Sequence, residues 1–324
     1  MRSIQTSYTF PLSSVKPLDG LIRYRAYCLE ETRNALRAPL RRREHSPVGG
    51  ALLEPFDNVD GFEYLRCPES ASLFLAHLPA PGNWARLLAE VNLFRHSPQA
   101  FHSGIEQSRN QTVYMPKLEW IQSTLRLQGI HKPRLMEVTT APSDFTSLLR
   151  DGGSFAEVLT VDEMELAMEN PSTGSRNEDG AAQAAVLLES LDRVADPSAL
   201  LRAVAQRLTN GGLLFVTALV CSGFDMTVLG LRNLYLYPPD RTNCFSLRGL
   251  ELLIARSGFT LLEISTPGVL DVEIVQAHLS HDLAVPLSTF ERQLLDADDE
   301  THMAFQGFLQ QHRMSSFARI VGRK

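Results

Sequence analysis

Four short apolar segments, separated by helix-like or polar stretches, restrict the fold of this 324-residue chain more than any other feature. They cover residues 134–138, 156–161, 184–188 and 213–219. The last is almost continuously apolar, which is typical of a strand buried on both faces of a sheet. Strands that alternate with helices predict βαβ units and a mainly parallel sheet. The predicted fold class is therefore α/β, a Rossmann-like sheet with helices on both faces.

Local signals place the remaining elements. Pro197 lies in the first turn of a predicted helix at 197–208, and Asp196 or Ser198 is available as its cap. The Asn-Gly-Gly sequence at 210–212 is expected to stop this helix. The other predicted elements are helices at 118–127 and 247–257, strands at 260–265 and 317–321, and a helical insertion at about 272–311.

The first 115 residues differ in composition and pattern: Pro, Gly and Arg recur, and predicted strands and helices do not alternate regularly. Short strands are predicted at Phe62–Leu65 and Ser72–Leu75, and an amphipathic helix at Trp84–Arg95. We therefore expect a small N-terminal domain at 1–115 and a larger domain at 116–324.

Charge and composition narrow the classes of partner. The net charge of −6 lacks the basic excess typical of nucleic-acid binders, so no nucleic-acid partner is expected. Residues 1–15 are too polar for an export signal, and no apolar run approaches the roughly 20 residues of a membrane span. The cysteines have no paired spacing, which argues against a disulfide framework and favours the cytoplasm. They are Cys28, Cys67, Cys221 and Cys244.

Two stretches carry a family resemblance. Residues 191–197 read Leu-Asp-Arg-Val-Ala-Asp-Pro, and 208–214 read Leu-Thr-Asn-Gly-Gly-Leu-Leu. Residues 245–259 begin with Phe-Ser-Leu and end with Ser-Gly-Phe. In this order and spacing they resemble the class I S-adenosylmethionine-dependent methyltransferases, which implies that cofactor. The alternative is a generic doubly wound fold in which Gly-Gly only ends a helix.

The family's glycine-rich cofactor loop corresponds to residues 135–145, but its glycines are replaced by Thr139, Ala141 and Ser143, and Pro142 interrupts it. Glycines allow positive φ and close backbone approach, whereas proline fixes φ and removes a donor. A standard cofactor seat is therefore not expected. The resemblance places around the cofactor Glu137, Thr139, Ala141, Ser143, Asp162, Leu188 and Glu189.

Asp162 follows the second strand, where the family binds ribose hydroxyls. An acid after a strand is more often the N-cap of the next helix, and we favour that interpretation. The interval between Glu163 and Ala184 is too short and polar for the helix and strand that the family places there. Part of the adenine pocket is therefore expected to be missing or rebuilt.

A long loop at 221–243 follows the strand at 213–219 and is expected to cover a pocket, because ligands bind beyond the carboxyl ends of such strands. Its aromatic and charged side chains either hold a sugar or anionic group or pack the loop onto the core, and the two alternatives remain equal. The predicted substrate residues are Tyr235, Tyr237, Asp240 and Arg241.

The N-terminal region also resembles the zinc-ribbon-like module that precedes some methyltransferase cores. Cys67 and Pro68 match its knuckle, but Ser70 stands where a second cysteine belongs, and Cys28 also lacks a partner. Structural zinc needs four Cys or His ligands, so we predict no metal.

Other side chains that could bind a metal or an anion are better explained as solvent-exposed surface. We expect His278 and His281 to face solvent on a helix, with His302 downstream. The basic run at 37–43 is expected to be a solvated loop rather than an anion site.

Two functions follow. The first is methyl transfer by in-line displacement to a small-molecule or glycan acceptor, with the base unassigned. The alternative is a non-catalytic binding or scaffold protein that kept the fold and lost the cofactor.

Overall fold

The computed structural model describes residues 10–37, 40–95, 97, 104–168, 181–281 and 285–324. The strands are β1 (Leu40–Arg42), β2 (Glu54–Val59), β3 (Phe62–Arg66), β4 (Leu73–Leu75), β5 (His77–Pro79), β6 (Arg134–Val138), β7 (Glu157–Val161), β8 (Ala182–Leu188), β9 (Leu208–Leu219), β10 (Asn243–Cys244), β11 (Thr260–Ser265) and β12 (Phe317–Arg323).

The helices include every one that the sequence predicts. They are α1 (Leu18–Ala35), α2 (Pro81–Arg95), α3 (Glu106–Arg109), α4 (Met115–Leu127), α5 (Asp144–Asp151), α6 (Glu163–Met168), α7 (Pro197–Arg207), α8 (Phe224–Leu229), α9 (Leu247–Arg256), α10 (Asp271–Ser280), α11 (Thr289–Leu295) and α12 (Asp299–Gln311). Within the described residues, no helix has the length and apolar character needed to cross a membrane.

A six-stranded sheet forms the centre of the fold, in the order β11-β12-β9-β8-β6-β7. Strands β7, β6, β8 and β9 are parallel, and β12 runs antiparallel to both of its neighbours. This arrangement confirms the predicted Rossmann-like α/β class. On one face, Trp120 of α4 packs edge-on against Phe215 of β9, with ring centroids 5.3 Å apart, and Phe145 of α5 joins the same cluster.

One predicted boundary was wrong. The segment 210–212 does not stop a helix but lies inside β9, which begins at Leu208. The Gly211 N–H donates to the Lys324 carbonyl, and the Lys324 N–H donates to the Gly212 carbonyl, both at 3.0 Å. The strand is longer than predicted because β12 extends beside it and its hydrogen-bonding groups continue the ladder.

The N-terminal strands form a second sheet in the order β10-β4-β3-β2, so one strand of it comes from the loop at 221–243. Arg43, expected in a solvated loop, is instead buried and donates to Asn243 Oδ1 at 2.7 Å and the Ala195 carbonyl at 2.9 Å. Its long side chain is drawn inward by these acceptors. The division of the chain near residue 115 stays a prediction.

Candidate active site

A cavity of about 140 Å³ lies beyond the carboxyl ends of β6 and β8. It is the expected place for a ligand, because parallel strands all end at this edge of the sheet. We refer to it as the first cavity. The predicted site residues that line it are Glu137, Thr139, Ala141, Ser143, Leu188, Glu189, Tyr235, Tyr237, Asp240 and Arg241.

The loop after β6 is held by one hydrogen bond to the end of β7 and one within the loop. The Thr139 N–H donates to the Val161 carbonyl at 3.0 Å, and the Thr139 hydroxyl donates to the Ala141 carbonyl at 3.1 Å. Ser143 then begins α5 in a capping box with Thr146. None of residues 139–143 has positive φ. The turn therefore accommodates Cβ-bearing residues, and glycine is not needed for its backbone conformation.

Glu137, which lies in β6 just before this loop, is a buried acid with an unsatisfied carboxylate oxygen. Its side chain is only 3% exposed, and its Oε2 has no hydrogen-bond partner among the described residues. Burial raises the pKa of the carboxyl, although a hydrogen bond from Thr146 and the charge of Arg150 oppose this. A buried acceptor without a donor is costly, so its presence beside a cavity indicates a ligand donor.

Asp162 does not line the first cavity. Its Oδ1 accepts the N–H groups of Met164 at 2.8 Å and Glu165 at 2.9 Å, which is the N-cap arrangement favoured above. The neighbouring Glu163, which the sequence reasoning did not select, is fully buried and accepts the Thr140 hydroxyl at 2.7 Å. It anchors the loop rather than facing the cavity.

The lid, residues 221–243, is fastened by ion pairs. Arg95 of α2 donates to both oxygens of Asp240 at 2.6 and 2.7 Å, and the Tyr237 hydroxyl donates to Asp240 at 3.2 Å. The Tyr64 hydroxyl donates to the Arg241 carbonyl at 2.7 Å. Tyr235 and Tyr237 are buried against the core and also line the first cavity. The packing role of this loop is therefore observed, and its ligand-holding role stays a prediction.

A buried charge cluster joins the lid to the end of β8. Arg241 donates to Glu189 at 2.9 Å and lies 3.3 Å from Asp192. Burial alone raises the pKa of Glu189, but Arg241, Lys117 and other nearby cations lower it well below its usual range. For Asp192, burial raises the pKa to about 8 despite Arg241. Glu189 is therefore the ionised partner of Arg241.

A second cavity of about 150 Å³ adjoins the first. It lies beside β12 and the start of α10, and most of its lining is apolar. We call the residues that line both cavities the shared wall. They are Lys16, Arg109, Lys117, Glu189 and Arg241.

Two lysines of the shared wall were missed by the sequence reasoning. Lys117 is 5% exposed, and burial lowers its pKa to about 8. Its signal was present, since Trp120 and Ile121 follow at helical spacing on a buried face, where a lysine is out of place. Lys16 precedes α1 and carries no such pattern; burial lowers its pKa as well.

Two further expectations about histidine and metal can be compared with the structure. His278 was wrongly expected in solvent: it is buried and its Nε2 accepts the Leu234 N–H at 2.7 Å, which ties α10 to the lid. His281 is exposed as expected. The described residues hold no group of three or more His, Cys, Asp or Glu suited to a metal ion. The absence of zinc stays a prediction.

Comparison with known proteins gives one family match. Residues 104–264 match the family described as a methyltransferase domain. No protein with a curated description matches the chain.

Several solved structures are similar at low identity. The plantazolicin methyltransferase, solved with a pentazolic desmethyl analog and SAH, is 12% identical over 68% of this chain and 88% of its own, with a TM-score of 0.41. A SAM-dependent methyltransferase from Archaeoglobus fulgidus is 11% identical over 68% and 100%, with a TM-score of 0.35. One from Mesorhizobium loti is 13% identical over 64% and 97%, also with a TM-score of 0.35.

Proposed function

Because residues 104–264 match the family described as a methyltransferase domain, we propose that this chain binds S-adenosylmethionine in the first cavity and methylates a small-molecule acceptor in the second. The observation that carries the proposal is the shared wall. Because the same five side chains line both cavities, ligands that meet along this wall can bring their reacting atoms within the about 3–3.5 Å that direct group transfer needs.

The described lining suits the amino-acid end of the cofactor. That end carries an ammonium and a carboxylate, and the first cavity offers both kinds of partner. Glu137, with its unpaired buried oxygen, is the acceptor for the ammonium. Arg109 is the cation for the carboxylate. The predicted rebuilding of the adenine pocket concerns the interval 163–184, of which residues 169–180 lie outside those described.

S-adenosylmethionine supplies an electrophilic methyl group on a sulfonium. The protein's own residues bind and orient the two ligands and exclude water from the site. Arg241 and Asp240 hold the lid over the cavities through their pairs with Glu189 and Arg95. A closed lid strengthens the electrostatic interactions inside the site because it removes water from them. No residue is assigned as a base.

One observation favours the alternative, a protein that retains the fold without methyl transfer. The Thr139 N–H is used by the end of β7 and its hydroxyl by Ala141 of the loop, so both are less available to a cofactor than the groups of a glycine-rich turn. In that case the first cavity would serve another ligand or none.

Isothermal titration with S-adenosylhomocysteine and S-adenosylmethionine separates the two functions. We expect saturable binding of both, with one site per chain. Absence of heat at a protein concentration of 100 μM, with a folded sample confirmed by circular dichroism, would favour the non-catalytic alternative.

A further inference from the structure

We propose that the second cavity accepts an apolar organic acid whose carboxylate is bound at the shared wall by Lys117 and Lys16. The inference rests on the proposed function for the statement that this acid is the methyl acceptor. The binding chemistry itself rests on the residues described below.

The body of the second cavity is apolar. Most of its lining is built from side chains that form no hydrogen bonds, so it favours a hydrocarbon or aromatic group over a sugar. These apolar residues include Val15, Val113, Pro116, Leu219, Leu270 and Phe317.

Lys117 is a buried cation without an ion-paired anion, although the charge of Glu189 raises its pKa. It makes no hydrogen bond or ion pair with any described residue, and its Nζ lies 5.3 Å from the ring centroid of Phe317 and 5.9 Å from that of Tyr114. Burial of an unpaired charge is expensive in free energy, so buried charges normally have a partner. Lys16 is in a similar position: its Nζ lies 4.4 Å from the ring centroid of Tyr235.

The charge balance of the second cavity also lacks an anion. Its two acids are already engaged, because Glu189 accepts Arg241, and Asp271 accepts the Ser315 hydroxyl at 2.6 Å and the Ser316 N–H at 2.7 Å. Its cations outnumber them and are Lys16, Arg109, Lys117, Arg241 and Arg319. A ligand that carries a negative charge at one end restores the balance.

A carboxylate suits this position better than a phosphate. The cavity is small, which favours the smaller anion. Its side-chain donors without a hydrogen bond include the two ammonium groups and the Nε atoms of Arg241 and Arg319, and Arg241 is already paired with Glu189. The shared wall also adjoins the first cavity, so the acid's charged end would lie next to the cofactor and its apolar body away from it.

Matched ligand pairs test the proposal. Octanoate and phenylacetate are titrated against octan-1-ol and 2-phenylethanol, which have the same bodies without charge. We expect each acid to bind at least tenfold more tightly than its alcohol. The Lys117→Met variant should lose that preference and leave the alcohol affinity within about twofold, while Lys117→Arg retains most of it. Equal affinity of acid and alcohol for the unmodified protein would overturn the proposal.

Control variants keep the result interpretable. Arg248→Met removes an exposed cation on α9 and should leave acid binding unchanged. Thermal unfolding shows whether Lys117→Met is folded; if it is not, Lys16→Met tests the other ammonium and should weaken acid binding at least fivefold. Acid binding that is unaffected by the folded lysine variant refutes the assignment.

Titration with S-adenosylhomocysteine on the same sample separates this inference from the proposed function. Acid binding without S-adenosylhomocysteine binding leaves the anion site standing and removes methyl transfer. S-adenosylhomocysteine binding without a preference for acids supports the proposed function and refutes the anion site.

Discussion

The lid and the shared wall treat charge in opposite ways. The cations that hold the lid are ion-paired within the protein, as Arg95 is with Asp240 and Arg241 with Glu189. Lys117 and Lys16 in the shared wall have aromatic neighbours and form no ion pair or hydrogen bond among the described residues. Ion pairs hold the lid in place, whereas a buried cation without an ion pair reduces stability until a ligand arrives. A cation is therefore structural in the lid, and we propose that it binds ligand in the shared wall.

The largest effect should come from breaking a paired ion. Arg95→Met leaves Asp240 buried without its cation, and loss of one partner of a buried pair costs roughly 3–5 kcal/mol. Urea unfolding measures this loss of stability. The matched control is Arg86→Met on the same helix, whose exposed pair with Glu90 spans 3.9 Å and should contribute less than about 0.5 kcal/mol. Equal small losses in both variants would contradict the structural role of the Arg95 pair.

Replacement of the buried acid of the first cavity should affect binding more than folding. Glu137→Gln keeps the shape of the side chain but removes the charge that the cofactor's ammonium requires. We expect S-adenosylhomocysteine to bind about tenfold more weakly, a loss of about 1.4 kcal/mol. Glu157→Gln, at an exposed position of the neighbouring strand, is the control and should bind normally. An unchanged dissociation constant for Glu137→Gln would remove this residue from the site.

Removal of an unpaired ion should have the opposite sign from removal of a paired one. In the absence of ligand, Lys117→Met is expected to stabilise the protein by about 1–2 kcal/mol, because a buried cation without a partner is replaced by an apolar chain of similar length. Unfolding in urea at pH 7 gives the difference. A destabilised but folded variant would show that the lysine has a partner in the native state.

The pH dependence of that difference provides a second measurement. Burial lowers the pKa of Lys117 to about 8 from 10.5, while Glu189 raises it and Arg109, Arg319 and Lys16 lower it. Between these two pH values the unfolded chain binds more protons at this site, so the unmodified protein gains stability as pH rises. The advantage of Lys117→Met should therefore be complete below about pH 8 and shrink toward pH 10.5. A constant difference would contradict the depressed pKa.

The smallest effect is expected in the loop after β6. Ala141 already has negative φ, so Ala141→Gly only adds freedom to the unfolded chain and should cost about 0.4–1 kcal/mol. The affinity for S-adenosylhomocysteine should change by less than twofold. A tenfold gain in affinity would show that the Ala141 side chain occupies space that the ligand needs.

The central sheet and most of the first cavity could be predicted from the sequence, because strands of a parallel sheet all end at one edge. Glu137 and Glu189 were placed together by the family resemblance, and the common edge of the parallel strands is the physical reason that they meet. Lys16 and Arg95 could not be placed. Lys16 reaches the cavities from the chain before α1 and Arg95 reaches them from α2, and no local pattern encodes either contact. His278 was misjudged because helical spacing alone does not indicate whether a face meets solvent or the lid.

The pairing of β10 with β4 constrains how ligands enter and leave. The lid contributes a strand to the N-terminal sheet, with Asn243 opposite Phe74, so it is not a free flap. Any movement that uncovers the cavities carries the N-terminal sheet with it or breaks that pairing. Residence times of bound ligands are thus coupled to the integrity of a distant sheet, and mutations there would alter dissociation rates while leaving every residue of the binding surface unchanged.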